Sequence, residues 1–135
     1  MKTTITLKTT EIYFIIEFLD KAINDIDFIK EMGKKVYDFN EINVNLDYVI
    51  EGCKIIMSQL IDYINETPII CDMKQLYNVH LIELDIQSLY MNHFFEWLAV
   101  QSVNDTKKLF KNYSEEEIET IDNAMYTFYC ELEEN

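Results

Sequence analysis

Two glycines and one proline in 135 residues leave this chain few places where the backbone can turn sharply or must break. A strand-rich or loop-rich architecture needs turn residues at short intervals, so their scarcity points to long helices joined by few connections. No period of roughly 20 to 50 residues recurs, which sets aside solenoids and propellers. The expected fold is mainly α, a compact bundle of four to five helices forming one acidic domain over residues 1–135. Residues 1–10 are the exception: Thr3-Thr4-Ile5-Thr6-Leu7-Lys8 alternates and is rich in β-branched side chains, which suits a short N-terminal strand or arm.

Apolar spacing places the helices. Ile12, Ile16, Leu19, Ile23 and Ile26 recur at three and four residues and predict a first helix from about Glu11 to Lys35, with Thr10 as N-cap and Gly33 near its end. The opposite side of that helix carries Tyr13, Glu17, Asp20, Asn24, Asp27 and Glu31, a nearly continuous acidic stripe. The polar, asparagine-rich stretch Asp38 to Asn45 reads as a loop, and Asn45 can cap a second helix from Leu46 to about Glu66. Leu46, Ile50, Cys53, Met57, Leu60 and Ile64 form its expected buried side, and Thr67-Pro68 ends it.

Asp72 followed by Gln75 resembles a capping box for a third helix continuing to about Ser102. That segment is apolar nearly all round, with Leu76, Leu84, Ile86, Leu89, Met91, Phe94, Phe95, Trp97 and Leu98 against a thin polar strip of Lys74, Asn78, Asp85, Asn92 and Glu96. Within it, Ile82-Glu83-Leu84-Asp85-Ile86-Gln87 alternates strictly. A strand over residues 79–87 would make the fold α+β with a small sheet. After the lysine-bearing segment Asp105 to Lys111, Ser114 and Glu117 form a capping box that opens the acidic C-terminal helix within residues 112–135. Ile118, Ile121, Met125, Phe128 and Leu132 then make a seam that either packs on the core or pairs with a second copy as a homodimer.

Charge narrows the partners. The net charge is -14 with a pI near 4.3, and every basic residue is lysine. Residues 112–135 hold Glu115, Glu116, Glu117, Glu119, Asp122, Glu131, Glu133 and Glu134 without a lysine among them. Nucleic-acid affinity rests on cationic neutralisation of phosphate, so direct nucleic-acid binding is disfavoured, as is adsorption to an anionic membrane. The start, Met1 to Thr10, has no apolar h-region and no apolar run approaches the roughly 18 residues of a membrane span, so a cytoplasmic protein of a bacterial or phage-infected cell is expected. Abundant Ile, Asn, Lys, Tyr and Phe fit the codon bias of an AT-rich genome. Cys53, Cys71 and Cys130 are widely spaced and odd in number, which predicts reduced, largely buried thiols.

Catalytic signals are weak. His80 and His93 both occur as H-x-x-E, with Glu83 and Glu96, and could suggest a small metal-binding enzyme. On one helix, however, the two motifs would stand some 140° apart at about 100° per residue, too divergent for a shared metal. There is no G-x-S-x-G, no H-E-x-x-H and no phosphate-cradling glycine loop. A non-enzyme without cofactor or metal is expected.

The remaining feature is acidic surface. Like charges at helical i,i+3 and i,i+4 spacing lie roughly 5 to 6 Å apart and cost stability unless a partner neutralises them. Such a row resembles the regular negative charge of a nucleic-acid strand and would be steered toward a basic channel. The expected partner-binding residues are Glu17, Asp20, Asp27, Glu31, Glu115, Glu116, Glu119 and Asp122, with Tyr126 as an aromatic contact and Tyr113, Tyr129, Tyr37 and Tyr48 nearby. In composition the chain resembles small acidic phage antagonists, including anti-CRISPR and anti-restriction proteins, and acidic helical nuclease-immunity proteins. The resemblance implies an inhibitor that occupies the basic surface of a nucleic-acid-handling protein or effector complex. The alternative is a helical scaffold that self-associates through Ile118, Ile121, Met125 and Phe128.

Overall fold

A computed structural model describes residues 2–36, 46–67, 74–86, 94–96 and 103–133. The fold is mainly α, with one small antiparallel sheet among the described residues. Strand β1 (Lys2–Lys8) alternates as expected, with Ile5 and Leu7 turned inward. Its partner is β2 (Val79–Asp85), in a register running from Lys2 opposite Asp85 to Lys8 opposite Val79.

β2 corrects the third helix expected from Asp72 to Ser102. Period-2 alternation sends Ile82 and Leu84 into the core and leaves Leu81 and Glu83 in water, a division that helical geometry would scramble. The seven-residue ladder with β1 then satisfies the backbone. Gln75 and Leu76 lie in a turn before the strand, where the Asn78 N–H donates to the Gln75 carbonyl at 3.1 Å. Phe94, Phe95 and Glu96 are helical, while Asp72, Leu89, Met91, Asn92, Trp97 and Leu98 lie outside the described residues.

The single first helix is also corrected, since two helices stand there: α1 (Thr9–Ile23) and α2 (Ile26–Val36). Asn24 folds its amide onto the Asp20 carbonyl at 2.8 Å, and the Asp25 carboxylate accepts the Phe28 N–H at 3.0 Å. Local side-chain bonds of this kind compete with the continuing helix and start a new one. Phe28, Ile29 and Met32 thereby reach the core, and Ile26 becomes exposed. Gly33 lies buried near the end of α2, three residues before Val36, as expected. At the front, Thr10 is not the N-cap. The Lys8 N–H donates to the Glu11 carboxylate at 2.7 Å, and the N–H groups of Thr9 and Thr10 go to the carbonyls of Asn78 and Leu76, each at 3.0 Å. Lys8 thus stands at the N-cap with Glu11 closing a local capping box, and tertiary carbonyls take the next two N–H groups.

Helix α3 (Leu46–Glu66) keeps its expected bounds, although its capping candidate Asn45, the preceding loop and Pro68 lie outside the described residues. Its buried line runs Val49, Cys53, Ile56 and Leu60, with Leu46, Ile50, Met57 and Ile64 at the margin. Gln59 ties α3 to the sheet, accepting the Asp85 N–H at 2.7 Å and donating to the Asp85 carbonyl at 3.1 Å.

A short helix α4 (Val103–Leu109) leads to α5 (Glu115–Glu133). The Ser114 hydroxyl accepts the Glu117 N–H, and the Glu117 carboxylate accepts the Ser114 N–H, both at 3.2 Å, which completes the capping box. α5 packs on α1 and β1. Ile118, Ile121, Met125, Phe128 and Leu132 are all buried in one contiguous core, so the seam is filled from within the chain and is not presented to a second copy. Edge-on rings bind this layer, with Phe95 to Phe128 at 4.9 Å and Phe94 to Phe95 at 5.5 Å. No helix among the described residues is long and apolar enough to cross a membrane.

Candidate protein-binding surface

The capping box fixes where α5 begins and therefore which acids face water. Glu115, Glu116 and Glu119 are exposed, and spacing by three and four residues continues the line through Asn123 to Tyr126. The Glu115 side chain is 92% exposed and only 3.9 Å from the Lys107 ammonium. Tyr126 is 54% exposed, and a hydrogen bond with Cys130 raises its hydroxyl pKa. Glu115, Glu116, Glu119 and Tyr126 therefore share one solvent ridge on a helix that carries no lysine. Clustering acids in the first turn also suits the positive end of the helix dipole, so the charge density costs the fold little.

Asp122 does not join that ridge. It accepts the hydroxyl of the fully buried Thr106 at 2.6 Å and thereby pins α4 to α5. A carboxylate spent on a buried hydroxyl is a structural group.

The acidic stripe expected along one helix is dispersed by the break at Asn24 and Asp25. Glu17 accepts the hydroxyl of Tyr113, whose pKa is raised chiefly by that bond. Glu31 accepts the Lys108 ammonium at 3.0 Å, and Lys108 in turn lies 3.6 Å from Asp105. The hydrogen bond to Glu31 is the main reason the Lys108 pKa is raised. Asp20 and Asp27 remain exposed, with the Asp20 carboxylate 3.4 Å from the Asn24 amide, while Tyr13 is half-buried.

Between α1 and the loop after α4 lies an open cavity of about 250 Å³ lined by Lys21, Asp25, Lys108, Phe110, Lys111 and Tyr113 among others. Two of its cations have partners in the fold. Lys108 is held by Glu31 and Asp105, and the Lys21 ammonium sits 5.7 Å from the Phe110 ring centre and 5.5 Å from that of Tyr113. The cavity is a seam where the loop docks on α1.

His80 is a structural histidine. The Thr9 hydroxyl donates to the Asn78 carbonyl at 3.3 Å and lies 2.7 Å from His80 Nε2, so it accepts the Nε2 proton. Nδ1 is then left to accept the Tyr63 hydroxyl at 2.9 Å. The strand also points His80 inward with Ile82 and Leu84 while Glu83 faces water, which splits the first H-x-x-E pair between two faces. His93 lies outside the described residues and Glu96 is exposed. Among the described residues no group of three His, Cys, Asp or Glu could hold a metal ion. Sequence spacing missed the Thr9–His80–Tyr63 cluster, which only the β1–β2 register assembles.

Burial pushes Cys53 up to about 12, so it is neutral near pH 7. Cys130 is half-buried, and Cys71 and Tyr37 lie outside the described residues, whereas Tyr48 is exposed. No protein-family model, no curated protein and no solved structure matches this chain.

Proposed function

We propose that this chain is a non-enzymatic acidic protein that binds and inhibits a basic, nucleic-acid-handling protein of a bacterial cell, in the manner of phage antagonists of CRISPR or restriction systems or of immunity-type inhibitors. The observation that carries the reading is the α5 ridge. Glu115, Glu116 and Glu119 stand in water along one helix face without a lysine on that helix, and Tyr126 continues the same line with an exposed ring. A rigid row of carboxylates offers a basic groove the charge of a nucleic-acid strand, and an adjacent tyrosine adds contact area at small entropic cost. The first-turn acids also gain from the helix dipole, so they persist in the free protein at little cost.

The test compares tagged protein with its E115K/E116K/E119K variant in affinity capture from bacterial lysate, eluted in salt steps. A basic nuclease, helicase or effector complex should leave the wild type at moderate salt, because screening shortens the reach of exposed charge to about 8–10 Å. The variant should bind that protein more than about tenfold more weakly, while its stability stays within ~0.5 kcal/mol of wild type. Equal retention of the same partner by both proteins would remove α5 from the binding site.

A further inference from the structure

The sheet has two edges, and they are built differently. Asp85 directs both its N–H and its carbonyl to Gln59, so it faces away from β1, and Thr9 N–H to Asn78 carbonyl continues the ladder in the same phase. Antiparallel geometry alternates hydrogen-bonded and non-hydrogen-bonded pairs, so the backbone groups of Val79, Leu81 and Glu83 also point away from β1. Among the described residues nothing is bonded to them along that side. The β1 edge, by contrast, is guarded by Lys2 and Lys8, and the Lys8 N–H is already taken by Glu11.

Side chains mark the open stretch further. Leu81 is 72% and Val79 62% exposed, on the outer face that also carries Glu83. Lys2 stands opposite Asp85, whereas Thr4 stands opposite Glu83, so the register places no cation across from Glu83. We infer that the β2 edge from Val79 to Glu83 is a docking site for an extended, cationic segment of another protein, which adds to the sheet as a third strand. Its backbone pairs with Leu81 and Glu83, an apolar side chain lies beside Val79 or Leu81, and a lysine or arginine faces Glu83. Gln59 limits the added strand at the Asp85 end. Charge favours this occupant over a second copy, since each copy carries -14. The site is separate from the α5 ridge and stands whether or not that ridge binds a partner.

The probe is a dye-labelled peptide of ten alternating lysines and valines, paired with a version N-methylated at alternate backbone nitrogens. Anisotropy should show the parent peptide binding, with the N-methylated peptide and the Leu81→Lys and Glu83→Lys variants each weaker by about tenfold or more. Hydrogen exchange on the wild type should show the Leu81 and Glu83 amides protected by the parent peptide alone, a readout that needs no variant to fold. Binding indifferent to N-methylation would mean charge attraction only and would overturn the proposal. So would a peptide-independent doubling of mass abolished by Leu81→Lys, which would assign the edge to a second copy. Loss of binding in E115K/E116K/E119K with the edge variants unaffected would likewise overturn it and leave the ridge reading intact.

Discussion

The acids of α1 and α2 and those of α5 look alike along the chain, yet the fold uses them differently. Glu17 and Glu31 are engaged by Tyr113 and Lys108, the first in the segment joining α4 to α5 and the second on α4 itself. Glu115, Glu116 and Glu119 stay in water. The difference comes from neighbours. α1 and α2 lie beside α4 and that segment, whereas α5 turns one face to α1 and β1 and meets α4 along its flank, where only Lys107 comes near the ridge, at 3.9 Å from Glu115. A charge pattern thus reports what could be exposed, and packing decides what is.

The largest expected effect breaks what the two regions share. Phe128→Ala removes the ring that joins α5 to Phe95 in the common core and should cost about 3–5 kcal/mol by chemical denaturation. A loss below ~1 kcal/mol would mean that α5 is not docked as described.

Next comes the one α5 acid that behaves like those of α1 and α2. Thr106→Val keeps the shape of the buried side chain but removes the donor to Asp122, and should cost about 1–2 kcal/mol. The ridge variant, tested in the same denaturant series, should cost far less. If the two losses are equal, the distinction between Asp122 and the ridge fails.

Tyr113→Phe addresses the α1 side and should cost about 1 kcal/mol or less, since the pair is only partly buried. Its pH dependence has a definite sign. The bond to Glu17 needs the neutral phenol and raises its pKa, so the stabilisation is complete below the unfolded tyrosine value of about 10. It is lost as pH rises from there through the higher folded value. Tyr126 and Tyr129 are raised as well, so spectrophotometric titration should show several tyrosines ionising late and one fewer of them in Tyr113→Phe.

The smallest effect belongs to Glu31→Gln. Both partners of the Lys108 pair are about half exposed, so the melting temperature should fall slightly in low salt and not at all in high salt. A salt-independent loss would mean that Glu31 holds α4 more firmly than an exposed pair can.

Much of this was legible in the chain. The capping box of Ser114 and Glu117, the buried seam from Ile118 to Leu132, the bounds of α3 and the alternation of β1 rest on rules spanning a few residues, and all stand in the fold. The break at Asn24 and Asp25 was readable in principle, since two adjacent residues that favour local caps sat inside the first helical pattern. Overall apolar periodicity outvoted them.

β2 marks the limit. The helical pattern is the favoured reading across residues 79–85, and the alternation of Ile82 to Gln87 only raises the question. The answer needed β1, some seventy residues earlier in the chain, to supply a ladder and an inward face shared with Ile5 and Leu7. The same pairing turned His80 from a metal candidate into a bridge between Thr9 and Tyr63, and left Val79 to Glu83 as an edge that is open among the described residues. Local spacing by itself determined where helices begin, which face of each is apolar and how much negative charge the surface must carry, because caps and periodicity act over one or two turns. Only the tertiary structure decided which strand pairs and which acids find a cation or hydroxyl, because those depend on partners that sequence distance does not reveal.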